Sequence, residues 1–181
     1  MLLTPSFCIR AQDNWKVIAP FGESFTVSMP TSAQMVVRVV PLTETEKVPA
    51  RVLYSLARGR RYAVVMFRRT TDACCPQLPP PPPGPPNRPP PLSNFAEFVT
   101  AMEWSLTKAQ TGKVILDKDF SDQARVAKQY ELQINDTTGV VRFVEAGNSF
   151  YAQFVIGADK NDLEARRFLS SLQIGKTNND D

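Results

Sequence analysis

Histidine is absent from this 181-residue chain, and its absence removes several kinds of active site at once. Without an imidazole the chain cannot build a Ser-His-Asp or Cys-His nucleophile set, and it lacks the side chain best suited to proton transfer near neutral pH. Zinc sites with imidazole ligands are excluded for the same reason. The sequence therefore favours binding over catalysis, and we expect a non-enzymatic domain with no cofactor and no metal.

Long apolar runs and a strong excess of one charge are also missing. No stretch approaches the roughly 20 apolar residues that a membrane-spanning helix needs, so we expect no transmembrane segment. The net charge is only +3, from 21 basic and 18 acidic residues, which is too small to indicate nucleic acid by itself. We therefore expect no nucleic-acid partner. We expect the partner to be another protein or a component of the cell envelope.

Proline is ordinary except in residues 72–92, which hold most of the 16 prolines and which we predict to be a loop insertion. The run LPPPPPGPPNRPPPL favours an extended polyproline II conformation. Pro83 to Pro86 followed by Arg88 fits a PxxPxR ligand pattern, so one interpretation is a display module that a partner domain recognises. The other interpretation is a stiff surface loop without a ligand of its own.

The two ends of the chain do not have the pattern of folded structure. Residues 1–12, MLLTPSFCIRAQ, resemble the end of a secretory signal peptide, with a short apolar stretch before a small residue at which a signal peptidase cuts. They are either a leader remnant or a disordered N-terminus. We expect one domain over residues 13–175, a disordered tail over 176–181, and a secreted or periplasmic location, with a cytoplasmic location as the alternative.

Apolar residues alternate with polar ones in most of the remaining chain, which is the pattern of half-buried strands. Tyr62 to Phe67 is apolar at nearly every position, so this strand should be central and covered on both faces. The predicted strands lie within residues 21–30 and over residues 34–40, 50–57, 62–69, 113–118, 126–134, 138–146 and 149–156, with a turn at 58–61.

Two segments have the period of a helix. Asn94 with Glu97 has the spacing of a capping box at the start of the first helix, and Gly112 ends it. The second helix starts near Asn161, with Glu164 three residues on. Strands followed by a helix, then a meander and a second helix, indicate an α+β fold: one antiparallel sheet with helices packed on it.

Two stretches of sequence resemble bacterial extracytoplasmic proteins of the PsbP-like fold. They are SFTVSMP near the start and FYAQFVIGADKNDLEARRFLSSLQI near the end. The resemblance covers roughly residues 15–70 and 93–175 and implies a PsbP-like α/β/α sandwich. Named members include an accessory subunit of the photosynthetic oxygen-evolving complex and an import factor that binds a small GTPase. The resemblance implies an exported accessory or binding domain, and it brings no shared catalytic residue to this chain.

Three arginines at the predicted turn, Arg58, Arg60 and Arg61, are the main candidates for binding, together with Arg88 in the proline-rich run. Guanidinium groups suit anionic partners, although a solvated hairpin end has the same composition. We expect the binding face to combine this basic turn with the proline-rich loop, because both adjoin the same central strand.

Adjacent cysteines precede the prolines, at Cys74 and Cys75. Neighbouring cysteines bond to each other only with strain, so the alternatives are a vicinal disulfide, intermolecular bridges or free thiols. A redox role for the pair is a hypothesis on these grounds.

Enzymatic alternatives rest on two short patterns. Ser105 and Lys108 match the S-x-x-K pattern of penicillin-binding enzymes, but the companion motifs of those enzymes are missing. Asp117 and Asp119 begin like a calcium loop that lacks the required glycine and glutamate further on. A hydrolase that uses carboxylates or the Ser-Lys pair is therefore the weaker alternative.

Overall fold

A computed structural model describes residues 15–30, 33–69, 92, 94–109, 112–122, 125–134 and 136–175. The predicted N-terminal segment 1–12, the tail 176–181 and nearly all of the insertion 72–92 lie outside these residues. The elements are β1 Trp15–Ile18, β2 Phe25–Pro30, β3 Gln34–Pro41, β4 Lys47–Ala57, β5 Arg60–Arg68, α1 Phe95–Trp104, a π-helical turn Ser105–Ala109, β6 Gly112–Asp122, β7 Arg125–Ile134, β8 Thr137–Ala146, β9 Ser149–Ile156, α2 Leu163–Ser170 and β10 Gln173–Ile174.

Seven strands form one antiparallel sheet in the order β3-β4-β5-β9-β8-β7-β6. The prediction that the strand at residues 62–67 is central and covered is confirmed, because β5 lies between β4 and β9 and its interior residues are mostly buried. Side chains that alternate along β5 reach two different cores. Tyr62, Val64 and Met66 face one core, whereas Val65 and Phe67 face the other.

The first core lies between the large sheet, α2 and a three-stranded antiparallel sheet of order β1-β2-β10. α2 is held there by polar contacts as well as by its apolar stripe. Gln153, fully buried on β9, donates from Nε2 to the carbonyl oxygen of Phe168 at 3.1 Å, and Arg142 on β8 donates to that of Leu169 at 2.9 Å. Donors at the C-terminal carbonyls satisfy groups that the helix itself leaves unpaired.

The second core lies between the opposite face of the sheet and α1. Phe98 is at its centre: its ring stacks on Phe150 at a centroid distance of 5.0 Å and contacts Phe67 and Phe143. Helices thus cover both faces of the antiparallel sheet, and the predicted α+β class is confirmed.

The N-terminal caps of α1 and α2 can be compared with the caps predicted from the sequence. The cap at Asn94 is where it was predicted, because its side chain accepts a hydrogen bond from the backbone N–H of Glu97. The second prediction was displaced by one residue: Asp162, and not Asn161, caps α2 and accepts from the N–H groups of Glu164 and Ala165. None of the helices in the described segments is long and apolar enough to cross a membrane.

Candidate functional site: the β4–β5 hairpin

The predicted basic turn is a tight connection of two residues between β4 and β5. Arg58 and Gly59 have φ values of 51° and 74°, which is the sign of φ that a type I′ hairpin turn requires at both central positions. Arg60 and Arg61, predicted as part of the turn, instead begin β5 and pair with Ala57 and Leu56. The strand therefore starts two residues earlier than the sequence indicated.

This earlier start separates the three arginines. Successive side chains of a strand point to opposite faces, so Arg60 shares the face of Tyr62, over which α2 packs. Arg61 lies on the other face, the one that carries α1, and it is exposed. The structure brings Arg58 and Arg60 together but places Arg61 apart from them.

Arg58 and Arg60 form ion pairs with carboxylates at the N-terminus of α2. Arg60 Nη2 lies 2.6 Å from Asp162 Oδ2, and its Nη1 donates to Glu164. Arg58 Nη1 lies 3.1 Å from Glu164 Oε1, and the Tyr62 hydroxyl donates to Glu164 Oε2 at 3.2 Å. Two guanidinium groups and two carboxylates balance each other, so this face of the hairpin joins β5 to α2.

The charges of this cluster alter two pKa values. Burial alone would lower the pKa of Arg60, but the Tyr62 hydroxyl, Asp162 and Glu164 together raise it above its ordinary value. Burial raises the pKa of Tyr62, and the nearby Glu164 carboxylate acts in the same direction. Arg60 therefore stays charged and Tyr62 stays protonated at all physiological pH values.

An aromatic group extends the same joint toward β1. The ring of Tyr62 meets Trp15 and Phe168 edge-on, at centroid distances of 5.4 and 5.5 Å. The guanidinium of Arg167 lies 4.8 Å from the centre of the Trp15 ring, within cation–π range. Tyr62 thus connects β1, β5 and α2 through these ring contacts.

The opposite face of the hairpin is open. Leu56, the register partner of Arg61, is 62% exposed, and Tyr54, two residues away on the same face, is 36% exposed. The Tyr54 hydroxyl lies 3.0 Å from Oε1 of Gln34, its register partner on β3. Tyr54, Leu56 and Arg61 form what we call the open hairpin face, a surface where apolar side chains adjoin a guanidinium.

The basic turn and Arg69, the last described residue before the proline-rich loop, lie toward opposite ends of β5, and a binding face that combines turn and loop stays a prediction because the loop lies outside the described residues. The turn precedes Arg60 at one end of β5, whereas the loop departs after Arg69, beyond the other end. Nine strand residues span roughly 30 Å. Arg88, Cys74 and Cys75 lie outside the described residues, so their binding and redox roles stay predictions, as does the display role of the prolines.

The residues of the enzymatic alternative lie in two elements, the π-helical turn after α1 and the strand β6. Ser105 is buried where α1 continues into the π-helical turn, and Lys108 is exposed three residues later in that turn. The companion S-D-N and K-T-G motifs of S-x-x-K enzymes are missing from the sequence. Asp117 and Asp119 lie within β6, paired with Tyr130 and Lys128 of β7. Within the described segments, no three His, Cys, Asp or Glu residues gather as a metal site would require.

Sequence reasoning missed the acidic partners of the turn. Glu164 was considered only as a residue of the helix start and Asp162 was not singled out, and more than a hundred positions separate both from Arg60. A surplus of acid at the start of α2, opposite a surplus of base at the turn, was the one available signal. It becomes informative only when the register of β5 is known.

Comparison with known proteins supports the fold. No protein-family model matches the chain, and no curated protein matches it in sequence. The solution structure of cyanobacterial PsbP (CyanoP) from Synechocystis sp. PCC 6803 superposes with a TM-score of 0.56 at 10% identity, over 90% of this chain and 93% of that one. A Pseudomonas aeruginosa protein of unknown function, PA94, gives a TM-score of 0.38 at 9% identity over 80% and 83%, too low to support an argument. The resemblance in sequence and the superposition agree that this chain has the PsbP-like fold.

Proposed function

We propose that this protein is a non-catalytic accessory domain that binds another protein through the open hairpin face. The observation that carries the proposal is the pairing of Arg61 with Leu56, which sets an exposed arginine opposite an exposed leucine on one face of the hairpin. Exposed apolar side chains grouped beside polar ones are typical of interaction surfaces.

The composition of the face suggests the chemistry of the partner. Tyrosine and arginine are enriched among the residues that dominate binding energies, and the face holds one of each beside Leu56. Arg61 would pair with a carboxylate of the partner, while Leu56 and Tyr54 contact apolar side chains next to it. We therefore propose a protein surface that carries an acidic residue among apolar ones.

Arg58 and Arg60 have a different role in this proposal. Their carboxylate partners come from α2 of the same chain, so an anionic partner would have to displace Asp162 and Glu164 before it could bind them. Of the three arginines at the hairpin, Arg61 is the one proposed to bind.

Photo-crosslinking in the native host tests the proposal. A photoreactive residue at Leu56 should give an adduct with a second protein, whereas the same residue at Leu163, which is 79% exposed on α2, should not. Arg61→Glu should abolish the Leu56 adduct, because it reverses the charge that the partner is proposed to recognise. Equal labelling from both positions, or an adduct unaffected by Arg61→Glu, contradicts the proposal.

We also propose that the protein is exported, which the resemblance of residues 1–12 to a signal peptide supports. Mass spectrometry of the protein from its native host tests this: the mature chain should begin near Gln12 or Asp13. A mass lower by two hydrogen atoms than that of the reduced chain would further establish oxidation of Cys74 and Cys75. A chain that still begins at Met1 would contradict export.

A further inference from the structure

The edge strand β3 exposes an unusual row of side chains. β3 pairs with β4 on one side, and among the described residues no strand pairs with its other side. Val37 and Val39 are 66% and 64% exposed, and Arg38 between them is exposed as well. The π-helical turn approaches this strand, but three consecutive exposed residues leave its middle open on both faces. Long apolar edges of this kind are templates for pairing with another strand.

We propose that a second copy of this chain pairs with β3, strand against strand and antiparallel, around a two-fold axis at Val37. The proposal concerns a surface different from the open hairpin face and does not depend on the function proposed above.

The register follows from the alternation of side chains. Directly paired residues of antiparallel strands lie on the same face of the sheet. A two-fold axis perpendicular to the sheet keeps each residue on its own face, so one residue must pair with its own copy at the axis. The axes that keep the longest overlap of β3 pass through Val37 or through Arg38. The second would place two guanidinium groups opposite each other, which is unfavourable. The first sets Val37 against its own copy and Met35 against Val39.

The charged residues near β3 are compatible with this pairing. Arg51, the register partner of Val37 on β4, is neutralised by an ion pair with Glu23. With the axis at Val37, each Arg38 faces Val36 of the other copy instead of a like charge. On the face of the sheet that holds Met35, both copies therefore bring apolar side chains and a neutral ion pair to the contact between the two β3 strands.

Phe21 is a further exposed apolar residue, next to Arg51 on the face of the sheet that carries Val37. Its carbonyl oxygen lies 3.1 Å from Arg51 Nη2, and the residue is 97% exposed. A buried phenylalanine contributes on the order of 200 Å². Together with the strand edge and two valines, the contact falls at the small end of the roughly 1,200–2,000 Å² of stable interfaces. We therefore expect a dimer whose population depends on protein concentration.

Sedimentation velocity over a wide range of protein concentration tests the dimer. Val37→Lys should weaken dimerisation by at least about tenfold, because it sets two ammonium groups opposite each other on the axis. Leu56→Lys is the matched control: it has similar exposure on the open hairpin face and should leave the dimer unchanged. A protein that is monomeric at every concentration, or a dimer equally sensitive to both changes, overturns the proposal.

Single cysteines test the register, in a full-length chain with Cys8, Cys74 and Cys75 replaced by serine. Paired residues of antiparallel strands have Cα atoms about 4.5–5.5 Å apart, which a disulfide spans. Val37→Cys should therefore cross-link to its own copy on mild oxidation. Val39→Cys should not, since the two copies of residue 39 lie roughly 13 Å apart along the strands. Cross-linking through residue 39 but not through residue 37 overturns the proposed axis.

Discussion

Removing the three arginines of the hairpin one at a time should separate their roles. We consider Arg58→Met, Arg60→Met and Arg61→Met, in which methionine keeps most of the aliphatic length. Arg60 bonds Asp162 and Glu164 with a side chain that is 25% exposed, whereas Arg58 is 52% exposed and bonds Glu164. Arg61 projects from the opposite face. The loss of stability should therefore fall in the order Arg60, Arg58, Arg61.

The size of the loss follows from the degree of burial. A hydrogen bond to a charged group contributes about 1.5–3 kcal/mol when buried, and an exposed ion pair contributes less than about 1 kcal/mol. The two partly buried bonds of Arg60 lie between these limits, so Arg60→Met should cost about 2 kcal/mol. Arg58→Met should cost about 0.5 kcal/mol, and Arg61→Met should leave stability unchanged within error.

Denaturant unfolding followed by circular dichroism measures these differences. A loss of about 2 kcal/mol corresponds to a fall in Tm of roughly 4–8 °C for a chain of this size. A double-mutant cycle of Arg60→Met with Glu164→Gln should give a coupling free energy of about 1 kcal/mol. A coupling of zero, or a loss at Arg61 as large as that at Arg60, would refute the assignment of the two faces.

Two further predictions concern packing and pH. Gly139→Ala should destabilise the fold by about 2 kcal/mol or more, because its Cβ would lie 2.8 Å from the Val155 carbonyl oxygen. Gly175→Ala is the control, since the nearest atom to its Cβ would be 3.4 Å away. Equal losses of stability for the two variants in thermal melts would contradict the prediction. Burial raises the pKa of both Tyr62 and Tyr151 above the ordinary 10.0. In the unfolded chain the two hydroxyl groups lose their protons at a lower pH than in the folded protein. The free energy of unfolding should therefore keep its full value below about pH 10 and fall as the pH rises through the raised pKa values of the folded protein. Denaturant unfolding at stepped alkaline pH should show this fall, and Tyr151→Phe should make it shallower; an unchanged slope would exclude Tyr151 as a source.

The strands of the seven-stranded sheet and the first helix could be predicted because their signals are local, whereas β1 and β10 were not predicted. Alternation of apolar residues marks a strand wherever the strand lies in the sheet, and the Asn94 cap depends on one backbone group three residues away. The start of α2 was displaced because Asp159 Oδ1 accepts from the N–H groups of Asn161 and Asp162. That turn places Asn161 before the helix and leaves the cap to Asp162.

The candidate site could not be predicted in the same way, because it depends on register. The sequence shows three arginines near a glycine, and only the start of β5 decides which of them share a face. The same register reveals the open hairpin face, since Leu56 and Arg61 become neighbours only through strand pairing. Exposure of Val37 and Val39 likewise depends on β3 being the last strand of the sheet.

The pairing of β10 with β2 sets the order in which the molecule can be completed. Phe25 and Thr26 pair with Ile174 and Gln173, and the N–H of Ser28 donates to Ser171 Oγ at 2.9 Å, across 143 positions of sequence. Contacts between such distant residues are slow to form. During synthesis, β2 therefore cannot pair with β10 until nearly the whole chain has been made. The first core is complete only when residue 174 has left the ribosome. A chain that ended before residue 173 would therefore leave β2 paired with β1 alone.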